Sequence, residues 1–155
     1  MIEVEWLFGD LSVSIVMGPA DDSDMDLVIK TKSISLALDA AGLQNISVQE
    51  TTEAKDTEFW PTISLSDANR RAIINTTISE ALLKAEEKEG KVVGIYTLGL
   101  EVARVPSWEV AEEIIKAVHT HSKSSSSLQR IIIVASSPTQ LSSFQYVLDN
   151  ISVIV

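Results

Sequence analysis

The stretch VVGIYTLGLEVARVPSWEVAEE, residues 92–113, decides the fold. Its opening VVGIY lacks the polar alternation of a half-exposed strand, which predicts a strand covered on both faces. Residues 97–105 predict an irregular loop, and Pro106 with Ser107 as N-cap then begins an amphipathic helix. A strand, a loop and a helix in this order aim backbone N–H groups at an anion, because a helix N-terminus carries positive partial charge.

The loop around Gly99 has altered chemistry for an anion site. The five residues that follow this glycine are Leu100, Glu101, Val102, Ala103 and Arg104. None of them lets the backbone approach a ligand as closely as glycine does. The Glu101 carboxylate would repel an anion, whereas Arg104 could bind one through a charge-assisted hydrogen bond. The sequence therefore predicts a loop with the architecture of an anion site, in which only some of the side chains suit an anion.

Strand and helix patterns alternate along the rest of the chain. Apolar runs predict strands at residues 4–8, 13–17, 26–30, 46–50, 92–96, 130–135 and 151–155. Helical periodicity and capping residues predict helices at residues 34–41, from Ser66 or Asp67 to Gly90, from Pro106, and from Pro138. Such alternation predicts an α/β fold with a largely parallel sheet, and no linker or repeat interrupts it. We expect a single domain over residues 1–155.

Composition excludes several classes of function. Asp and Glu number 22 against 12 Lys and Arg, and the net charge of -10 disfavours general nucleic-acid binding. Arg70 and Arg71, the only adjacent arginine pair, remain a candidate local basic patch. The absence of cysteine excludes disulfides, thiolate metal sites and cysteine nucleophiles. No apolar run approaches about 18 residues and no export pattern is seen, so we expect a cytoplasmic protein without a membrane span.

Three stretches of the chain carry a resemblance to a known family. They are GDLSVSIVMGPADDSDMDLVIKTKS (residues 9–33), ANRRAIINTTISEALLKAEEKEGKVVGIYTLGLEVARVPSWEVAEEIIKAVHTH (residues 68–121) and RIIIVASSPTQLSSFQYVLDN (residues 130–150). Together they resemble the macro domain, an α/β/α module known for binding ADP-ribose. The first is similar to the first strands of that family, the second to its long helix, buried strand, second phosphate loop and following helix, and the third to its last strand and helix. The resemblance implies a three-layer α/β/α fold whose central mixed sheet is flanked by helices.

The resemblance also places an adenine-binding position in the first of these stretches. Where the family has Gly-Asp, whose aspartate accepts a hydrogen bond from the adenine amino group, this chain has Gly18 and Pro19. Proline can neither accept through its side chain nor donate through its backbone. Asp21 and Asp22 follow closely enough to substitute for the missing carboxylate.

The position that lines the distal ribose in the family has changed as well. Where the family has Asn-Ala-Ala-Asn, this chain has Lys30, Thr31, Lys32 and Ser33, and the glycine-rich phosphate loop that should follow is missing. Lys30 and Lys32 point to one side of a strand end. They could meet an anionic ligand, although we interpret them first as solvated side chains. Together with the second loop, these changes predict that ordinary ADP-ribose binding is weakened or lost.

Three hypotheses on function follow. In the first, the chain is a divergent binding module for a nucleotide-related or other small anionic ligand. In the second, it is a scaffold that has lost the ligand and contacts a protein partner. The third, ranked behind the other two, is a hydrolase of ADP-ribose derivatives. The candidate cleft consists of Gly18, Asp21, Asp22, Lys30, Thr31, Ser33 and residues 99–104. We assign no catalytic residue, metal or cofactor. Trp60 and Trp108 are interpreted as core or rim packing.

Overall fold

The structure is a computed structural model that describes residues 4–31, 34–37, 45–48, 53–124 and 126–155. Its strands are β1 (Glu5–Phe8), β2 (Leu11–Met17), β3 (Leu27–Lys30), β4 (Ile34–Ala37), β5 (Asn45–Val48), β6 (Asp56–Phe59), β7 (Val92–Tyr96) and β8 (Arg130–Ala135). Its helices are α1 (Arg70–Glu87), α2 (Leu98–Val102), α3 (Ser107–Ser122), α4 (Pro138–Asp149) and α5 (Ile151–Ile154).

Six of the strands form a mixed sheet in the order β1-β2-β8-β7-β3-β6. Strand β1 is antiparallel to β2, and every other neighbouring pair in this sheet is parallel. The strands that the sequence predicts at 92–96 and 130–135 are β7 and β8, which are adjacent and lie inside the sheet, with Val92 opposite Arg130. Because the parallel strands run the same way, the carboxyl ends of β2, β8, β7 and β3 meet at one edge.

The main core lies between the sheet and three helices, which pack in the order α1, α3, α4. Helix α1 buries the face that the sequence predicts, namely Ile74, Ile78, Ala81, Leu82 and Ala85. Alternate strand residues face this core: Val13, Leu27, Ile29, Val93, Ile95, Ile131 and Ile133. The strand residues of opposite parity Val28, Tyr96 and Val134 form a second cluster with Met25, which precedes β3. The continuous apolar runs of the inner strands thus reflect burial on both faces.

Two predicted elements are wrong. Residues 34–37 of the predicted 34–41 helix form strand β4, which pairs antiparallel with β5, and residues 38–41 lie outside the described residues. Strand pairing here overrides a weak helical preference. Residues 151–154 of the predicted last strand form helix α5, in which Ile151 and Ile154 both pack against the core. Their spacing of three residues places both isoleucines on one side of a helix.

Two predicted helix caps are also wrong. Helix α1 begins at Arg70, after Asn69 rather than after Ser66 or Asp67. The Asp67 carboxylate instead accepts the backbone N–H of Ser64 at 2.9 Å. Ser107 is the first residue of α3 rather than its cap, and its hydroxyl lies 2.9 Å from that of Ser143 on α4. Helix starts differ from the prediction because polar side chains near them have partners in loops and neighbouring helices.

The end of α1 anchors the polar segment before β8. The Glu86 carboxylate accepts hydrogen bonds from the Ser126 hydroxyl and from the Ser127 backbone N–H, the latter at 3.0 Å. His121 Nε2 lies 3.1 Å from the same carboxylate. Burial raises the pKa of Glu86, but these hydrogen bonds outweigh it and lower the pKa to about 2. Glu86 is therefore ionised at neutral pH and holds this segment against the helix.

Candidate functional site

A cleft of about 370 Å³ opens at the carboxyl edge of the sheet. Its described lining residues are Gly18, Pro19, Ala20, Lys30, Tyr96, Thr97, Leu98, Val134, Ala135 and Ser136. They belong to the ends of β2, β3, β7 and β8, and the Gly18 N–H donates to the Ala135 carbonyl at 2.9 Å. Small-molecule sites in proteins have volumes of roughly 300–1,000 Å³, so the cleft is large enough for a small ligand.

Lys30 is the one charged residue among the described residues that line this cleft. It is the last residue of β3 and only 4% exposed. Its Nζ lies 2.9 Å from Asp22 Oδ2 and 4.2 Å from the centroid of the Tyr96 ring. The interpretation of Lys30 as a solvated side chain is therefore wrong, because a buried ammonium needs such compensation. Lys32 and Ser33 lie outside the described residues.

The second loop is more ordered than the sequence predicts. Residues 98–102 form helix α2, in which the backbone N–H groups of Leu100 and Glu101 donate to the Thr97 carbonyl at 3.1 and 3.2 Å. Leu100 is buried in the main core, which explains why this segment folds onto the protein. Gly99 lies against Thr31, since a Cβ atom added at Gly99 would be 1.7 Å from Thr31 Oγ1. The segments that follow β3 and β7 are thus in direct contact.

Glu101 brings a negative charge to the β8 side of the cleft. Its carboxylate accepts a hydrogen bond from the hydroxyl of Ser136, which lines the cleft. Arg104 is exposed, has a φ of 66° and does not line the cleft. The Glu101 carboxylate is thus held beside a residue that lines the cleft, whereas Arg104 does not line the cleft.

Gln140 joins the ends of β7 and β8 beside the cleft. This side chain is 1% exposed, and its Oε1 accepts the Ser136 N–H at 3.1 Å and lies 2.8 Å from the Ser136 Oγ. The Thr97 hydroxyl donates to the same oxygen, and Gln140 Nε2 donates to the Thr97 carbonyl at 3.3 Å. Gln140 therefore fixes two residues that line the cleft.

Trp60 supports the cleft from the core side. It follows β6 and is buried, and its indole N–H donates to the Tyr96 carbonyl at 2.8 Å. Its backbone N–H donates to the Lys30 carbonyl at 2.9 Å. The core packing predicted for Trp60 is confirmed, and the residue ties the end of β3 to the end of β7. Trp108 is 55% exposed, with Arg71 Cζ 5.5 Å from its ring centroid.

Solved structures that resemble this chain are macrodomains. The Oceanobacillus iheyensis macrodomain with ADP matches with a TM-score of 0.71 at 10% identity, over 99% of this chain and 98% of that one. The chain has a macrodomain fold. The Trypanosoma brucei macrodomain in complex with ADP-ribose matches with a TM-score of 0.59 at 7% identity, over 86% of this chain and 68% of that one. The sequence matches no family model and no curated protein.

The macrodomain fold confirms the resemblance at the level of architecture. The mixed six-stranded sheet with its helices fits the three-layer α/β/α arrangement of that fold. No helix in the described ranges is long and apolar enough to cross a membrane. Across the same ranges, no group of three or more histidine and acidic side chains is arranged to hold a metal ion.

The residues predicted for the cleft are dispersed in this macrodomain fold. Gly18 and Lys30 line the cleft, and Asp22 pairs with Lys30. Asp21 is exposed and accepts the backbone N–H and the hydroxyl of Ser23, which lower its pKa. The remaining described candidates lie along the second loop or against it: Thr31, Gly99, Leu100, Glu101, Val102, Ala103 and Arg104.

Sequence reasoning missed the end of β8 and the first turn of α4. Val134, Ala135 and Ser136 line the cleft, and Gln140 positions Ser136. A signal for Gln140 was present, since Ser137 and Gln140 have the spacing of a capping box. The structure realises half of that motif, because the Ser137 hydroxyl accepts the Gln140 backbone N–H at 3.2 Å.

Proposed function

We propose that this protein is a binding module with a macrodomain fold, whose cleft takes a nucleotide-related or other small anionic ligand. The observation that carries the proposal is the cleft of about 370 Å³ at the carboxyl ends of four parallel strands, with Lys30 in its lining. Open α/β sheets bind ligands outside the carboxyl ends of their strands. The ADP and ADP-ribose complexes among the similar structures support the same class of ligand.

We further propose that ordinary ADP-ribose binding is weakened or lost. Three features support this step. Pro19 stands where the resemblance places an adenine-binding aspartate, and Thr31 packs on Gly99 of the second loop, which the resemblance places at a phosphate. The Glu101 carboxylate, bonded to Ser136, opposes a phosphate at the cleft. A candidate cytoplasmic location and a protein partner stay predictions from the sequence.

Titration with ADP-ribose in a calorimeter is expected to give no binding isotherm at tens of micromolar. Each lost or opposed contact costs roughly 1–3 kcal/mol, so two of them weaken a micromolar ligand to roughly millimolar. Thermal-shift assays with ADP-ribose, ADP, AMP and inorganic phosphate would follow, because a ligand of the native state raises the melting temperature. A clear ADP-ribose isotherm would overturn the weakened-binding proposal, and a panel without any shift would overturn the binding-module proposal.

Changing Glu101 to glutamine is expected to strengthen the binding of ADP to the cleft. The substitution removes a negative charge that is bonded to Ser136 and leaves an amide that can keep this hydrogen bond. Calorimetry at low and high salt would measure the effect, which should shrink as salt screens the charge. Glu112→Gln is a matched control, since Glu112 pairs with Arg71 away from the cleft. Equal ADP affinities for the wild type and Glu101→Gln would show that the charge of Glu101 does not oppose ADP binding.

One observation favours a second candidate function, the ligand-free scaffold. The charge of Lys30 is already balanced by Asp22, and the hydroxyl of Ser136 is already bonded to Glu101. A cleft whose polar groups satisfy one another can persist without a ligand. Soaking crystals in ADP would separate the two candidates: density in the cleft supports the binding module, and an unaltered cleft supports the scaffold.

A further inference from the structure

We infer that Lys30 is the anion receptor of the cleft and that Asp22 is its internal competitor, so that the ligand presents one compact anionic group, a phosphate monoester or a carboxylate, to the Lys30 ammonium. The inference rests on the proposed function, because it assigns the chemistry of the same cleft. It goes further in naming the residue that recognises the ligand and the residue that limits its affinity.

The charges of Lys30 and Asp22 lie close together but differ in their position relative to the cleft. Lys30 lines the cleft and Asp22 does not, although their charged atoms are 2.9 Å apart. Both side chains are buried, with 5% and 8% of their surfaces exposed. Coulomb interactions are stronger in such surroundings than in water, so an anion that enters the cleft interacts strongly with Lys30.

The Asp22 carboxylate is held by a second contact besides that with Lys30. Its Oδ1 accepts the backbone N–H of Glu53 at 2.9 Å, while its Oδ2 contacts Lys30. The carboxylate is therefore held from two sides and does not depend on Lys30 alone for its position. An anion in the cleft adds a second negative charge near the ammonium and is repelled by Asp22. Removal of the Asp22 charge should accordingly increase the affinity for anions.

The opposite side of the cleft sets the size and charge of the ligand. Glu101, bonded to Ser136, places a carboxylate at the β8 end. A ligand with one anionic group can direct it to Lys30 and keep neutral hydrogen-bonding groups near Ser136 and Thr97. A diphosphate that extends from Lys30 toward the second loop brings its charge closer to Glu101. The cleft should therefore prefer AMP to ADP.

The test compares the wild type with Lys30→Met, Asp22→Asn and Lys88→Met. Lys88 pairs with Asp56 on the surface, so Lys88→Met changes the net charge equally and serves as the control. Calorimetry would use inorganic phosphate, acetate and AMP, and the first two probes distinguish a phosphate from a carboxylate preference. We expect Lys30→Met to weaken AMP binding about tenfold or more and Lys88→Met to leave it within about twofold. Asp22→Asn should strengthen phosphate binding several-fold.

Thermal unfolding keeps the test informative if Asp22→Asn is unstable. This substitution leaves a buried ammonium without its carboxylate and should lower the melting temperature. Phosphate should then raise the melting temperature of Asp22→Asn more than that of the wild type, and it should not do so for the double variant Lys30→Met/Asp22→Asn.

The outcomes separate the two proposals. If AMP binds the wild type and Lys30→Met equally, the cleft still binds a ligand, so the proposed function stands and the role of Lys30 is overturned. If phosphate shifts the wild type and Asp22→Asn by equal amounts, Asp22 is no competitor and the inference fails. If neither AMP nor phosphate binds any of these proteins, both the inference and the proposed function fall.

Discussion

Replacing Gln140 with leucine is expected to lower the free energy of unfolding by about 3 kcal/mol, because several buried hydrogen bonds would be lost at once. The side chain is 1% exposed and bonds both Thr97 and Ser136. Leucine has a similar volume but neither accepts nor donates, so the Ser136 N–H would lose its Gln140 acceptor. The Thr97 carbonyl would lose the Gln140 donor and keep the backbone N–H groups of Leu100 and Glu101. Urea denaturation would measure the loss of unfolding free energy, and an unchanged m-value would show that only the stability has changed.

Gln145→Leu supplies the matched control for this prediction. Gln145 lies on the same helix α4 and is exposed, so its substitution should change the free energy of unfolding by less than about 0.5 kcal/mol. Gln140→Leu should also weaken AMP binding, because Thr97 and Ser136 both line the cleft. Equal stabilities of the two leucine variants would mean that Gln140 contributes nothing to the joint between β7 and β8.

The second half of the chain could be predicted from the sequence because its apolar patterns are long and regular. The buried face of α1 and the strands at 92–96 and 130–135 depend on periodicities that many residues repeat. The segments at 34–37 and 151–154 are only four residues each, too short for a period to choose between helix and strand. Pairing with β5 and packing on the core decide their structures instead.

The arginine pair shows why local charge patterns mislead. Arg70 and Arg71 predicted a candidate basic patch, but both are turned to glutamates of α3. Arg70 binds Glu109 through two hydrogen bonds of 2.8 Å, and Glu109 is 3% exposed. These partners are about 40 residues away in the sequence, so no local pattern reveals them. The arginines tie α1 to α3 and do not form a free positive surface.

The candidate site was only partly predictable for the same reason. Lys30 ends β3 and Gly18 follows β2, and the sequence predicts both for the cleft. The partners that decide their chemistry come from distant segments, since Asp22 fixes Lys30 and Gln140 fixes Ser136. Packing also determines which side chains of the second loop are buried: Leu100 lies in the core, and Glu101 accepts a hydrogen bond from Ser136. Such choices depend on three-dimensional packing and not on spacing along the chain.

Replacing Gly99 with alanine is expected to lower the free energy of unfolding by about 3 kcal/mol and to displace the second loop. The added Cβ atom would lie 1.7 Å from Thr31 Oγ1 and 2.9 Å from Thr31 Cβ, so rotation of the Thr31 side chain cannot relieve the overlap. Overpacking of this kind forces the backbone to move. Because Leu98 lines the cleft, the same movement should weaken AMP binding, which calorimetry on the folded variant would measure.

Two comparisons assign this effect to the contact between Gly99 and Thr31. Gly9→Ala is a control without a steric overlap, since an added Cβ at Gly9 would meet nothing within 4 Å and only the φ of 63° opposes the substitution. It should cost about 1 kcal/mol. A double-mutant cycle with Thr31→Gly then tests the contact directly, because removing that side chain opens the space. A coupling energy near zero would show that Thr31 and Gly99 do not press on each other, and this contact would then no longer count against diphosphate binding.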